Sequence, residues 1–204
     1  MFYTLKDMPK GLLNACVVPR PIAWISSVSK FGIPNLAPFS YFNIVCENPA
    51  MVLFSTTKAH IEGGPKDTLK NIEETGEFVI NIVTLQLMEA MNLTSASLLR
   101  AVNEFDFANI DYEPSHLIHV PRVKDSPIHL ECEYHDSIQL PSDSEKYVNK
   151  MVIGKVKGIH VNPSVMTDGF IDLKKMQLIA RVGYGKYLQL GDELISMPKA
   201  DTLL

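Results

Sequence analysis

The chain has 204 residues, of which 46% are hydrophobic and 21% charged, and a formal net charge of −4. This composition is typical of a globular protein and argues against a disordered, collagen-like or coiled-coil chain. The net charge offers no basic surface for nucleic acid or an anionic membrane. The length predicts one domain over residues 1–204.

The beginning of the chain and its apolar segments bear on where the protein works. The N-terminus lacks the apolar core of a signal peptide, and no apolar run approaches the ~18 residues that span a bilayer. The three cysteines, Cys16, Cys46 and Cys132, have no metal-type spacing. We therefore expect a cytoplasmic protein with reduced thiols and no membrane partner.

The first part of the chain predicts two strands and then a helix. The first strand covers residues 17–28 and the second covers residues 35–45. Pro38 interrupts the second strand and predicts a sheet edge or a bulge, because proline donates no ladder hydrogen bond. The helix has Asp67 as its N-cap and Gly76 as its C-terminal cap.

The remaining elements are mostly short strands. Strands are predicted at 51–54, 78–83, 128–140, 152–161 and 177–182, with helical segments at 87–92 and 103–109. In the strand that begins at Ile128, apolar and polar residues alternate. Many strands without regular βα alternation predict an α+β, mainly β fold around an antiparallel barrel, not a doubly wound sheet.

Residues 34–42 are difficult to explain as ordinary core. They contain two prolines, an asparagine, a serine and three aromatic residues. A broken strand leaves backbone N–H and C=O groups without strand partners, and a flat heteroaromatic ligand could satisfy them. A bulged edge strand packed by aromatic residues is the alternative, and the pattern alone favours it.

A second segment suggests an anion site. Ser55 and Thr56 leave the end of a strand, a glycine pair follows, and Lys66 precedes the predicted helix. The unpaired N–H groups and the positive dipole end of a helix favour a phosphate at such a place. An ordinary loop and helix cap is the alternative.

Metal and nucleophile motifs are missing from the sequence. The six histidines are scattered, and no cysteine or carboxylate pattern joins them, so we expect no metal site. Cys46 and Cys132 stand in apolar predicted strands, which predicts inert core residues. No common catalytic motif is present.

Eight segments, spread over most of the chain, carry a family resemblance by their order and spacing. They are PRPIAW (19–24), GIPNLAPFS (32–40), KDTLKNI (66–72), TGEFVIN (75–81), EAMN (89–92), SPIHLEC (126–132), GKVKGIH (154–160) and ARVG (180–183). Together they resemble the flavin reductase-like, FMN-binding split-barrel family, which includes flavoredoxins. The resemblance extends from about residue 15 to residue 187.

This resemblance implies a six-stranded antiparallel split barrel with short flanking helices. It also implies a homodimer with FMN bound near the subunit interface. The residues implied to line the flavin ring are Asn35, Leu36, Ala37, Pro38, Ser40 and Tyr41. Those implied to surround the ribityl chain and phosphate are Ser55, Thr56, Lys66, Asp67 and Thr68.

His160 is the one catalytic residue that the resemblance implies, placed near the flavin and supplied by the partner subunit. A histidine hydrogen-bonded within its own strand is the alternative.

Two functions from different classes are consistent with these features. The first is an NAD(P)H-dependent flavin reductase, in which the flavin carries the redox chemistry and no acid–base pair is required. The second is a flavoredoxin-like electron carrier that works with a protein partner. A degenerate barrel without flavin is a third possibility, and the intact segment from Asn35 to Ser40 argues against it.

Overall fold

The computed structural model describes residues 1–191 and 193–197. Its strands are β1 (Ala23–Val28), β2 (Pro34–Phe39), β3 (Phe42–Glu47), β4 (Ala50–Thr56), β5 (Glu77–Ile82), β6 (Tyr112–Glu113), β7 (Arg122–Val123), β8 (Ile128–Gln139), β9 (Lys150–Val161), β10 (Met166–Thr167), β11 (Phe170–Ile171), β12 (Ile179–Arg181) and β13 (Tyr187–Gln189). Its α-helices are α1 (Leu12–Cys16), α2 (Asp67–Thr75), α3 (Met88–Leu93), α4 (Glu104–Phe107) and α5 (Leu173–Met176), and Pro163–Val165 forms a 3₁₀ turn.

Seven strands form the main sheet, in the spatial order β2-β1-β5-β8-β9-β4-β3, and every pair is antiparallel. The two edge strands, β2 and β3, are consecutive in the chain and are separated only by Ser40 and Tyr41. The sheet must therefore curl until its opposite edges meet at this corner. The mainly β split-barrel prediction is confirmed, with seven strands in place of the six expected.

The curled sheet has a core on each of its faces. Leu69 and Ile72 of α2 pack inside the curl with Phe54 and Phe78. The residues on the opposite face include Trp24, Leu36, Met91 and Phe105. Since β1 and β2 are covered on both faces, their register is strongly fixed, because a one-residue slip would exchange the two faces.

The predicted strand at residues 17–28 is too long at its beginning. Strand β1 starts only at Ala23, and Arg20 makes an isolated bridge with Arg181. Pro19 and Pro21 have no N–H groups to donate, so this stretch cannot continue a ladder. Helix α1, which immediately precedes it, was not predicted.

The predicted strand at residues 35–45 is two strands, β2 and β3, on opposite edges of the sheet. The chain turns at Ser40 and Tyr41 and not at Pro38. Pro38 nevertheless lies in an edge strand, as predicted, because an edge position is where a missing donor costs least.

The helix expected near residue 67 is α2, but its N-cap is Lys66, so the prediction of Asp67 as the cap was wrong by one residue. The Asp67 carboxylate binds Arg100 and His60 instead. Gly76 ends the helix with φ of 79°, as predicted, a conformation that glycine adopts without a Cβ clash. The other predicted strands and helical segments are confirmed within a few residues.

The two cysteines expected in the core have different environments. Cys132 is buried, as predicted, whereas Cys46 is exposed on β3, so the prediction for Cys46 was wrong. Strand β3 is an edge strand that pairs only with β4, and most of its side chains are exposed. Across residues 1–191 and 193–197, none of the helices has the length and apolar character needed to cross a membrane.

Candidate functional site

A groove opens at the corner where the two sheet edges meet, and we call it the corner groove. It runs between the end of β2, the end of β4 and the beginning of α2. Its walls include nine of the eleven residues predicted to bind the cofactor. Its lining residues are Asn35, Ala37, Pro38, Phe39, Ser40, Tyr41, Ser55, Thr57, Lys58, His60, Ile61, Lys66, Asp67, Thr68, Thr94, Ser95, Ala96, Ser97, Leu98 and Glu104.

The free edge of β2 presents carbonyl groups to this region. The N–H of Leu36 donates to Glu104 Oε2 at 3.1 Å, so it faces away from β1. Antiparallel pairing alternates in direction along a strand, so Pro38 faces the same way. Pro38 has no N–H, and the free edge is therefore rich in acceptors and poor in donors.

A buried polar network joins β2 to the first turn of α2. The Asn35 amide donates to the Thr68 hydroxyl at 2.8 Å and to Ser27 Oγ at 3.3 Å. The Asn71 amide donates to the same Ser27 oxygen at 3.2 Å. All four residues are buried, so this network fixes the distance between the strand edge and the helix N-terminus.

Lys66 stands at the N-terminus of α2 with a half-buried side chain. Burial lowers the pKa of its ammonium group, and the positive charge of Lys58 lowers it further. Within the described part of the chain, no carboxylate lies within ion-pair distance of Lys66. An anion in the groove would relieve this unfavourable burial.

Asp67 holds the preceding loop in place. Its carboxylate forms an ion pair with Arg100 and lies 3.1 Å from His60 Nε2. Arg100 also donates to the carbonyl oxygens of Gly63 at 2.7 Å and Pro65 at 3.0 Å. Asp67 therefore faces the groove as an organiser of the loop, and its own N–H remains in the first helical turn.

Two of the predicted site residues direct their side chains elsewhere. The Leu36 side chain is fully buried in the core beside Trp24. Thr56 is buried and its hydroxyl donates to the Val148 carbonyl at 3.3 Å, whereas the next residue, Thr57, lines the groove. Either residue can contribute to the groove only through its backbone.

The remaining predicted residues lie at the corner itself. Ser40 and Tyr41 form the turn, and the Tyr41 carbonyl accepts a hydrogen bond from the Ser55 N–H at 2.9 Å. The Tyr41 hydroxyl donates to Asn14 Oδ1 at 2.7 Å, which ties the corner to α1. The structure thus gathers the predicted ring-side and phosphate-side segments along one groove.

Glu104 is the main lining residue that sequence reasoning missed. It is buried, and burial raises the pKa of its carboxyl to about 7, with the negative charge of Asp67 adding to the increase. The hydrogen bonds from Leu36 and from its own N–H act in the opposite direction. Its signal in the sequence is weak, because acidic residues are common in the first turn of any helix, where they interact favourably with the helix dipole.

His160 lies outside the corner groove in a separate cleft, which we call the histidine cleft. This cleft also contains His129, Arg122 and Asn162, and it shares no lining residue with the groove. His160 Nε2 lies 2.6 Å from Glu131 Oε1. Within one subunit, therefore, His160 is held by a carboxylate in its own neighbourhood and is not brought to the groove.

Glu131 is fully buried next to this cleft, at the centre of a group that we call the histidine cluster: Glu131, His116, His129 and His160. Its two oxygens accept the N–H groups of His116 and Leu117, both at 2.7 Å, in addition to the contact with His160. Burial alone would raise the pKa of Glu131, but these hydrogen bonds hold it below the usual value. Among the described residues, no group of three or more histidine, cysteine or acidic side chains is arranged to hold a metal ion.

Residues 15–174 match the model of the flavin reductase-like domain. The chain belongs to the flavin reductase-like family. A protein of Halalkalibacterium halodurans is 35% identical over 179 residues, which cover 86% of this chain and 85% of the relative.

Two solved structures above 25% identity are also similar in fold. Nitrilotriacetate monooxygenase component B of Bacillus cereus is 32% identical, with a TM-score of 0.88, over 96% of this chain and 98% of that one. The 2-nitrobenzoate 2-nitroreductase of Pseudomonas fluorescens is 27% identical, with a TM-score of 0.83, over 98% and 97% of the two chains. Flavoredoxin of Desulfovibrio vulgaris, at 19% identity and a TM-score of 0.78 over 98% and 100%, shows the same fold.

These matches confirm the resemblance to the flavin reductase-like split-barrel family. Membership supports a flavin-dependent oxidoreductase and a flavin cofactor.

Proposed function

We propose that this flavin reductase-like protein binds FMN in the corner groove and is an NAD(P)H-dependent flavin reductase. The observation that carries the proposal is the groove itself. It combines an acceptor-rich strand edge with a half-buried lysine at the N-terminus of a nine-residue helix. These are the features that suit the polar edge of a flavin ring at one end and a phosphate at the other.

The residues of the groove fit FMN by their chemistry. Backbone groups from Asn35 to Tyr41, with the Phe39 ring, would line the isoalloxazine. Leu36 contributes through its carbonyl, because Glu104 takes its N–H. Ser55 and the backbone of Thr56 would lie near the ribityl chain.

At the phosphate end, Lys66 and Lys58 supply positive charge and the N–H groups of Asp67 and Thr68 supply donors. The Thr68 hydroxyl already accepts from Asn35, and its own proton is available to a phosphate oxygen. Bound FMN supplies two-electron chemistry with a hydride donor. The chain binds it, orients it and keeps one edge of its ring away from water.

We further propose that the chain forms a single flavin domain and a cytoplasmic homodimer. Strand β3 supports the dimer, because it is an unpaired sheet edge on which Ile44 and Val45 are exposed. In a dimer, His160 of one subunit could approach the flavin of the other as a catalytic residue. Sedimentation of a monomer at micromolar concentration with FMN bound would contradict this assembly.

A flavoredoxin-like electron carrier with a redox protein as its partner is the second candidate. The favouring observation is that the corner groove is open to solvent beside the exposed Tyr41, which would leave a bound flavin accessible to a partner. Rapid consumption of NADH or NADPH with free flavin as acceptor supports the reductase. Retained FMN that neither nucleotide reduces supports the carrier.

The experiment that tests the FMN site is a pair of titrations with FMN and riboflavin on Lys66→Ala and on Lys70→Ala. Lys66→Ala should weaken FMN by roughly one to two powers of ten, because a charge-assisted hydrogen bond contributes about 1.5–3 kcal/mol. Riboflavin has no phosphate and should be nearly indifferent. Lys70, one turn further along α2, is the matched control and should leave both affinities unchanged.

High salt should narrow the difference between FMN and riboflavin in the wild type, because part of it is screened Coulomb attraction. Equal losses of both ligands in Lys66→Ala would show that α2 does not hold the phosphate. The absence of any flavin fluorescence change in the wild type would remove the FMN proposal altogether.

A further inference from the structure

A second cleft adjoins the corner groove, and we call it the arginine cleft. Its walls include Arg181, Tyr187, Asn92 and Ser95. It shares the segment 38–40, at the end of β2, and Ser95 with the corner groove. The two spaces are therefore neighbours on either side of a common wall.

Arg181 is held firmly in this cleft. It pairs with Tyr187 across β12 and β13, and its guanidinium carbon lies 4.5 Å from the centre of the tyrosine ring. Its main chain exchanges two hydrogen bonds with Arg20, at 3.0 and 2.9 Å. Stacking occupies the flat face of the guanidinium and leaves its N–H edge available.

The four arginines of the chain have different partners. Arg100 pairs with Asp67 and Arg122 pairs with Glu113, while buried Arg20 donates to two carbonyl groups. Arg181 is half-buried, and its guanidinium makes no ion pair or hydrogen bond with any side chain or carbonyl in the described ranges.

The remaining walls of the arginine cleft suit an anion. Among the described residues that line it, none is acidic, whereas the corner groove contains Asp67 and Glu104 and the histidine cleft contains Glu113. The Asn92 amide adds a neutral donor, while the Ser95 hydroxyl donates to the Asn92 carbonyl at 2.6 Å. A planar guanidinium with a free N–H edge binds a phosphate through two parallel hydrogen bonds.

We propose that the arginine cleft binds the phosphate groups of a nicotinamide dinucleotide that reduces the flavin. This inference rests on the proposed function and names where its electron donor is recognised. The phosphate of FMN belongs to the lysines beside α2, so the positive charge of Arg181 remains for the donor. A dinucleotide held there extends towards residues 38–40, which the corner groove shares.

The test compares wild type, Arg181→Gln and Lys186→Gln, all loaded with FMN. Lys186 is exposed on the same hairpin and outside the cleft, so its substitution removes the same charge without touching the site. Calorimetry measures the Kd of NAD⁺ and NADP⁺, and stopped-flow absorbance measures reduction by NADH and NADPH. A second electron donor, N-benzyl-1,4-dihydronicotinamide, has no phosphate.

Arg181→Gln should weaken the dinucleotides roughly ten- to a hundredfold, the value of one charge-assisted bidentate contact. The rate with the phosphate-free donor and the Kd of FMN should stay within about twofold of wild type, which is too small a change for a lost ionic contact. Lys186→Gln should match the wild type throughout. Arg181→Lys keeps the positive charge but loses the planar pair of N–H donors, so its dinucleotide affinity should lie between those of Arg181→Gln and the wild type.

Three results would overturn the inference. Wild-type protein that binds FMN but is reduced by neither nucleotide overturns the proposed reductase and this inference together. Reduction of the wild type with no loss in Arg181→Gln overturns this inference alone. A loss of FMN affinity in Arg181→Gln, with dinucleotide binding intact, would assign the cleft to the flavin phosphate.

Discussion

Glu104 beside the corner groove and Glu131 in the histidine cluster are both buried carboxylates, with 8% and 0% of their surfaces exposed. Their pKa values nevertheless move in opposite directions. Burial raises the pKa of Glu104 to about 7, whereas the pKa of Glu131 is below its usual value. Burial alone therefore does not decide the charge of an interior carboxylate in this protein.

The difference lies in the donors that each carboxylate receives. Glu131 accepts two backbone N–H groups and the His160 ring, which together favour its ionised form over the cost of burial. Glu104 accepts the Leu36 N–H from β2, but the negative charge of Asp67 lies close by and disfavours the ionised form of Glu104. The ionised Glu131 carboxylate therefore has enough hydrogen-bond donors to offset its burial. The Glu104 carboxylate has too few donors to do so.

Of the substitutions that test this difference, Glu131→Gln should lower the free energy of unfolding the most. A glutamine presents an NH₂ group to donors that need an acceptor, and breaking a buried charged network typically costs about 3–5 kcal/mol. We expect a loss of that size in the free energy of unfolding, measured by urea titration. Glu133→Gln, two residues along β8 and exposed, should cost less than about 1 kcal/mol; similar losses in both would show that the network contributes little.

Glu104 should make the protein less stable as pH rises. Its pKa is about 7 when folded and 4.5 in the unfolded chain, so the native state binds more protons between these values. Stability should fall by about 2–3 kcal/mol from pH 5 to pH 8. Glu104→Gln should remove that slope, and a variant with the wild-type slope would show that Glu104 is ionised without penalty.

His129 should make the protein less stable as pH falls, which is the opposite of the effect of Glu104. Burial lowers its pKa from 6.5 to about 4, so the unfolded state binds the proton first and stability falls as pH decreases through this window. The loss attributable to His129 should be about 2 kcal/mol at pH 5. His129→Gln should flatten the acid side of the stability profile, with exposed His135→Gln as control; identical profiles for the two variants would exclude His129 as the cause.

The sequence predicted the elements whose signals are local. Gly76 at the C-terminus of α2 and the alternating strand β8 were found because caps and two-residue periodicity depend only on neighbours in the chain. The family resemblance then predicted which segments lie beside the flavin ring and which lie beside its phosphate. The structure brings both to one groove.

What the sequence could not predict depends on contacts between distant segments. Cys46 has apolar neighbours, but only the sheet order shows that β3 is an uncovered edge. Thr56 and Thr57 differ by one position, and the register of β4 decides which of them reaches the groove. Glu104 matters because it meets Leu36, 68 positions away, and no local pattern contains that information.

The corner at Ser40 and Tyr41 has a mechanical consequence. Because two residues join the opposite edges of the sheet, every strand from β2 round to β3 belongs to one continuous loop of hydrogen bonds and chain. Opening the corner would require shear along several strand pairs at once, which packed sheets resist. The corner is thus a stiff joint, which fixes the separation between the end of β2 and the end of β4.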